Sequence, residues 1–356
     1  MDYDTMRLLI TGGCGFIGSA VIRHIIRQTD HAVINVDAMT YAASEDALEE
    51  ALTSNRHTLV RADIADAAAM REIFDTHKPD AVMHLAAESH VDRSIDGPAD
   101  FMRTNIMGTF TLLEAARAYY AGLTGETRDR FRFHHVSTDE VFGALEENDP
   151  PFKETTAYDP RSPYSSSKAA SDHLVRAWFH TYGLPAFVSN TTNNYGIWQF
   201  PEKLIPLVLL NALEGKALPV YGDGSNQRDW LFVEDHAVAL VKVLEQGVPG
   251  ETYCIGARQP RSNLEVVHAI CAELDRRLPD PEGPRSRLIR FVTDRPGHDF
   301  RYEIDPTVTE AAISWKAEHD FERGLARTID WYLSHRDWWE GIRGGRYGGQ
   351  RLGTAA

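Results

Sequence analysis

The stretch "LLITGGCGFIGSAVIRHII", residues 8–26, decides the fold. It opens on an apolar, strand-forming run, passes Gly12, Gly15 and Gly18, and continues with apolar residues at helical spacing. The G-x-x-G-x-x-G interval belongs to a tight turn between a strand and a helix. Without side chains there, a pyrophosphate can approach the first N–H groups of the helix, so Gly12, Gly15, Phe16, Ile17 and Gly18 are candidate cofactor contacts. A glycine-rich turn that binds nothing has the same spacing, so the surroundings must decide.

Those surroundings repeat the same unit. Residues 7–11, 32–37, 57–63, 81–87, 131–137 and 185–190 read as strands buried on both faces. Helical patterns at 15–28, 66–77, 98–120 and 163–182 lie between most of them. Alternating strands and helices predict an α/β protein with a doubly wound, Rossmann-type parallel sheet. Beyond about residue 195 the pattern changes to short strands and Pro/Gly-rich connections. The expected organisation is a dinucleotide-binding domain over 1–195, with return segments near 230–257 and 308–334. A smaller substrate lobe over 196–356 completes it, ending in a Gly/Arg-rich tail expected to be loosely ordered.

Composition narrows the function. With 37 basic and 52 acidic residues the 356-residue chain has a formal charge of −15. Such a field repels nucleic acid and anionic membranes, and an anionic ligand needs a local basic pocket. No apolar run approaches the roughly 18 residues of a membrane span. Cys14, Cys254 and Cys271 are too scattered for a metal site, and three reduced thiols fit a cytoplasmic protein. The residues before the first strand are too few for a signal peptide, which points the same way.

Asp37 closes the second strand, nineteen residues past Gly18. A carboxylate there accepts hydrogen bonds from an adenosine ribose and repels a 2′-phosphate, favouring NAD over NADP; a loop-starting cap is the alternative. Asp63 and Ile64, after the third strand, suit an adenine-side contact, although Asp63 could equally cap the next helix. In "SPYSSSKAASDHLVRAW", Tyr164 and Lys168 are four apart on one helical face, behind a Ser162 cap and Pro163. A tyrosine that takes a proton from an alcohol must ionise well below its usual pKa of about 10. A cation at about 4 Å is worth on the order of 4 kcal/mol at an effective dielectric near 20, so Lys168 is expected to lower Tyr164. A surface Tyr–Lys contact would look the same in sequence. The remaining oddity is "HHVSTDEVFG", residues 134–143, where Asp139 and Glu140 stand together at a strand end. They are either solvated sheet-end residues or two carboxyl groups with separated pKa values.

Together these stretches resemble the extended short-chain dehydrogenase/reductase superfamily, and within it the dTDP-glucose 4,6-dehydratases. The resemblance also runs through "VMHLAAESHVDRSI", "NNYG", "FPEKLIPLVLLNALEGKALPVYG", "QRDWLFVEDHA" and "DRPGHDFRY". It implies bound NAD, a dTDP-glucose substrate, a homodimer pairing the helices at 98–120 and 163–182, and no metal. It further implies oxidation at sugar C4, loss of water across C5–C6 and return of hydride to C6. By that resemblance Asp139 is the acid, Glu140 the base, Thr138 a contact near O4, and Tyr164 and Lys168 the oxidising pair. Ala38, Met39, Thr40, Leu85, Ala86, Ala87, Thr104 and Asn194 join the cofactor contacts, and Ser89 reaches both cofactor and substrate. The substrate pocket is expected from Asn193, Lys203, Leu204, Pro219, Val220, Tyr221, Arg228, Asn263, Asp294, Arg295, Pro296, Gly297 and His298.

The chain departs from the family at Cys14, Phe142, "YGIWQF" and "YCIGA", none of which touches the acid, base, tyrosine or lysine. A 4-epimerase or decarboxylase shares the glycine turn and Y-x-x-x-K but usually lacks the adjacent Asp-Glu. A catalytically silent NAD-binding scaffold is the other alternative, and retention of all five reactive residues argues against it.

Overall fold

The computed structural model describes residues 5–295, 297–345, 347–349 and 352. Its strands are β1 (Arg7–Thr11), β2 (Ala32–Asp37), β3 (His57–Arg61), β4 (Ala81–His84), β5 (Arg132–Thr138), β6 (Ala186–Thr191), β7 (Asn193–Tyr195), β8 (Leu218–Tyr221), β9 (Gln227–Phe232), β10 (Thr252–Ile255), β11 (Pro260–Ser262), β12 (Ile289–Val292) and β13 (Arg301–Tyr302). Seven form one sheet in the order β10-β6-β5-β4-β1-β2-β3, with every pairing parallel. The chain reverses direction between β1 and β4, the switch point where doubly wound sheets open a crevice.

Both faces of the sheet are covered, which is why its strands read as unbroken apolar runs rather than alternating ones. On β1, Leu8 and Ile10 pack beside Val21, Ile22 and Ile25 of helix Phe16–Gln28. Leu9 points the other way and joins Phe74, Leu112, Leu113 and Val175. The first core also takes Leu240, Val243 and Leu244 from helix Val233–Gln246, as well as Ile313 and Trp315.

A second core gathers helices Leu204–Leu213, Asn263–Arg277 and Phe321–Ser334 around Val208, Val267, Ile270, Leu325 and Tyr332. The strand β9 carries β11, β13 and β7, while β8 pairs with β12. Of the short strands late in the sequence, β10 therefore extends the large sheet. Of the glycine-rich tail, residues 346, 350, 351 and 353 lie outside the described residues. Its helix runs from Arg336 to Gly345, and Tyr347 is buried beside Phe200 and Ile342.

One helix departs from the sequence expectation. The stretch 98–120 is not uniform: Pro98–Phe101 passes into a π-helical turn, Met102–Gly108, and then Thr109–Gly122. Close approach accompanies the change, because a side chain on Gly108 would come within 2.6 Å of the Ile64 side chain. The Asn105 carbonyl in that turn accepts the Ser171 hydroxyl at 2.7 Å. Wide turns of this kind often mark functional sites, and Thr104 lies within it on the wall of the cleft described next.

Candidate active site

A cleft of about 500 Å³ opens at the carboxyl ends of β1, β2, β4, β5 and β6. At its floor Gly12 holds φ +72°, and a Cβ there would lie 2.8 Å from the Ala86 backbone. A Cβ on Gly18 would meet the Gly12 carbonyl oxygen at 2.2 Å, so only glycine lets the helix dock this closely to the turn. The Gly15 cap makes no side-chain hydrogen bond, and Gly15, Phe16, Ile17 and Gly18 all face the cleft. Unspent N–H groups at a positive helix end fit the pyrophosphate of a dinucleotide.

Asp37 starts the loop as a cap and at the same time faces the cleft. Its Oδ1 accepts from the Met39 N–H at 2.8 Å and its Oδ2 from the Cys14 N–H at 2.9 Å, yet it still lines the cleft. Ala38, Thr40, Asp63, Ile64, Leu85, Ala86, Ala87, Ser89, Thr104 and Asn194 line it too. Met39 does not; it takes φ +53° and contributes its backbone to Asp37. The next helix is capped by Asp66, leaving Asp63 to accept from Arg103 at 2.5 Å. Cys14 is turned into the core, where burial, and after it Asp37, pushes its thiol up to about 12.

The strand β5 ends at Thr138, and a single 3-10 turn, Asp139–Phe142, begins at once. Thr138 caps that turn by accepting from the Glu140 N–H at 3.3 Å, and its hydroxyl lies 3.3 Å from Asp139 Oδ1. The two carboxyl groups differ in their surroundings. Asp139 is 1% exposed and its Oδ2 has no partner among the described residues. Burial, then the Glu140 charge, drive its pKa well above the carboxylate range. Burial also raises Glu140, but Arg295, Arg228 and Lys203 oppose the rise by favouring its anion. The environment thus separates a reluctant acid from a carboxylate supported by three cations.

Helix Pro163–Tyr182 starts where the sequence indicated, on a capping box between Ser162 and Ser165. It delivers Tyr164 and Lys168 into the same cleft as the two carboxyl groups. The expected lowering of Tyr164 is not a property of the folded chain by itself. Burial, followed by the Glu140 charge, pushes its phenol up, and a hydrogen bond with Thr138 only partly opposes this. The Lys168 ammonium instead donates to the Val136 carbonyl at 2.9 Å.

Asn193, Lys203 and Leu204 join Ser89 and Thr138 on the cleft wall, whereas the other described substrate residues do not line it. Arg295 is held by Asp92 at 2.8 Å, and Asp92 also accepts from the Tyr221 hydroxyl at 3.2 Å. Pro219 and Tyr221 line a neighbouring pocket of about 80 Å³. Arg228 stacks 4.3 Å above the Tyr302 ring and donates to the Gln227, Asp299 and Phe300 carbonyls. His298 lies 2.7 Å from Asp294, Val220 is packed in the second core, and Asn263 opens a helix. Gly297, a left-handed position at φ +64°, does not line the cleft, and Pro296 lies outside the described residues.

Sequence reasoning missed a cluster across the cleft. Glu202, 6% exposed, accepts from the Tyr41 hydroxyl at 2.8 Å and from Arg93 at 2.8 Å. The Arg93 guanidinium also sits 3.9 Å from the Tyr41 ring. These three residues are 161 and 109 positions apart along the chain, so no local pattern could have found them.

Comparison with known proteins agrees with this geometry. The family model described as GDP-mannose 4,6 dehydratase matches residues 9–328. The dTDP-glucose 4,6-dehydratase of Escherichia coli is 55% identical over 98% of this chain and 99% of its own length. This chain belongs to the dTDP-glucose 4,6-dehydratase family. The Neisseria meningitidis serogroup B relative of the same description is also 55% identical, over 98% of this chain and 99% of its own. A Streptomyces venezuelae dTDP-glucose 4,6-dehydratase crystallised with NAD superimposes with a TM-score of 0.86 at 39% identity, covering 95% of this chain and all of that one. The Thermus thermophilus UDP-glucose 4-epimerase in complex with NAD, at 26% identity, reaches 0.80 over 93% of this chain and 100% of its own. The shared fold thus extends to enzymes of different outcome, so the fold alone does not select the reaction.

Proposed function

We propose that this protein converts dTDP-glucose into dTDP-4-keto-6-deoxyglucose and water, as an NAD-dependent hydro-lyase. The observation that carries this reading is the meeting of Asp139, Glu140 and Tyr164 in one cleft with the glycine turn. An epimerase needs the tyrosine and the turn; only an elimination needs a buried acid and a supported base beside them.

The chemistry that bound NAD would supply here is that of a reversible hydride acceptor for the sugar. The glycine turn and the first turn of helix Phe16–Gln28 would hold its pyrophosphate, and Asp37 its adenosine ribose. Tyr164 takes the proton of the C4 hydroxyl, which Thr138 orients. The resulting ketone lets the C5 carbanion delocalise, so the Glu140 carboxylate can remove the C5 proton and give a proton back to C5 once water has left and C6 has been reduced. Asp139, kept protonated by burial, donates to the C6 oxygen as it leaves as water. Lys203, Arg228 and Arg295 offer the local positive charge that an acidic chain needs for a diphosphate.

Residues 1–195 with the returns at 230–257 and 308–334 serve as the NAD-binding domain, and the rest of 196–356 as the sugar-nucleotide lobe. The protein acts as a cytoplasmic homodimer in deoxysugar formation, dTDP-rhamnose being the usual destination of such a product. Among the described residues no helix is long and apolar enough to cross a membrane.

The test is incubation with a panel of nucleoside-diphosphate hexoses, with mass detection of water loss. A keto-sugar from dTDP-glucose is expected; a C4 epimer or carbon dioxide would overturn the reading. In single turnovers, Asp139→Asn and Glu140→Gln should still reduce the cofactor but dehydrate about 100- to 10,000-fold more slowly. Tyr164→Phe should stop both steps.

A further inference from the structure

We infer that Asp172 is a positioning residue for the oxidising pair: its buried carboxylate is the counter-charge that keeps the Lys168 ammonium in place and protonated. The inference rests on the function just proposed. Tyr164, Lys168 and Asp172 occupy successive turns of one helix face, and all three are buried. The first two reach the cleft, whereas Asp172 does not line it and touches no reacting group.

Three donors converge on one oxygen of the buried carboxylate and favour its ionised form. Its Oδ2 accepts from Ser137 Oγ at 2.9 Å, Tyr158 OH at 2.8 Å and Asn190 Nδ2 at 3.2 Å. Its Oδ1 lies 3.2 Å from His135 Nε2, and that same ring nitrogen is 3.5 Å from Lys168 Nζ. An imidazole thus stands between cation and anion, spanning them without a direct contact. Burial and the Lys168 charge lower His135 to about 4, so it is a neutral spacer at physiological pH.

Charges facing the pair from each packed element can be counted. The strand β5 contributes neutral His135 and the Val136 carbonyl, and β4 contributes His84, which burial also holds neutral. Arg176 reaches Asp172 only through the Tyr158 hydroxyl, at 3.0 Å. Glu140, Asp139 and, last of the three, Asp172 itself raise Tyr164 at the opposite end. Asp172 is therefore the anion that answers Lys168. Burial disfavours the ammonium, and even with Asp172 opposing, its pKa falls to about 8. Without that anion it falls further, and a neutral lysine cannot support a tyrosinate.

The experiment follows cofactor reduction in single turnovers of the holoenzyme with dTDP-glucose, across the neutral and alkaline pH range. Loss of the Lys168 charge ends oxidation on the alkaline side. Asp172→Asn keeps the shape and removes the charge, and should move that limb acidward by about one pH unit or more. Asp172→Ser, which removes the charge with a smaller side chain, should move it in the same direction; it decides the matter if Asp172→Asn does not fold. A purely structural role would lower the amplitude at every pH and leave the limb where it was. An unshifted limb in the folded variants overturns the inference, while a parent enzyme that never reduces its cofactor overturns the proposed function instead.

Discussion

Asp139 and Glu140 are neighbours in the chain, yet they carry different electrostatic loads. Their adjacency is legible in the sequence; their difference is not, because it comes from Arg295 and Lys203, which arrive from remote segments and favour the anion of Glu140, whereas Arg228 acts on both. Asp139 has a consequence for stability as well as chemistry. Its folded pKa lies above its unfolded value, so its contribution is fully present below the unfolded pKa and is lost as pH rises through the folded one. An asparagine of the same shape is neutral throughout and escapes that loss. The melting temperatures of parent and Asp139→Asn should coincide near about pH 4 and separate at alkaline pH, with the variant a few degrees more stable. Parallel curves at every pH would show that Asp139 is ionised at no such cost. The gain would accompany lost dehydration, since the strain that makes a good acid is removed with it.

Among the elements, the glycine turn and the helix behind it are the most sharply determined. A Cβ on Gly18 would stand 2.2 Å from the Gly12 carbonyl oxygen and 2.8 Å from Gly13 Cα, both backbone atoms with no rotamer to yield. Gly18→Ala should lose about 1–3 kcal/mol in denaturant unfolding, as overpacked sites do. It should also emerge from gel filtration depleted of NAD, because the helix end can no longer sit against the turn. Full retention of both properties would mean that the turn relaxes freely. Local pattern sufficed for β1 to β6 and for helix Pro163–Tyr182, whose apolar period, Ser162 cap and Pro163 all lie within one short window. It could not show the π-turn at Met102–Gly108, which depends on Ile64 and Ser171 from elsewhere in the chain. Nor could it place β10 beyond β6, or join Tyr41 and Arg93 to Glu202.

For the whole molecule, the open question in the sequence was the line Ala170, Leu174, Trp178 and Tyr182, which suits either a subunit interface or packing on the sheet. The structure divides it. Trp178 is buried in the core under the sheet, with its indole N–H on Glu114 at 3.0 Å, whereas Tyr182 is 51% exposed. Beside it on the adjoining helical stretch stand Met107 and Phe110, 52% and 38% exposed, with Phe110 edge-on to Trp178 at 5.8 Å. Isolated apolar residues at a surface need no explanation, but Met107 and Phe110, three apart on one helical stretch, form an apolar patch that continues through Trp178 to Tyr182. A second copy related by a two-fold axis would cover each patch with the same patch, burying Met107, Phe110 and Tyr182 twice over. The double variant Met107→Asp, Phe110→Asp places like charges face to face across such an axis. Light scattering should report half the parental mass, with the helical circular dichroism retained. Some stability is lost in any case, because the Phe110–Trp178 pair is worth about 0.5–1.5 kcal/mol beyond its area. An unchanged mass would place the subunit contact on another face, since two buried aspartates at the centre of a symmetric interface could not be accommodated.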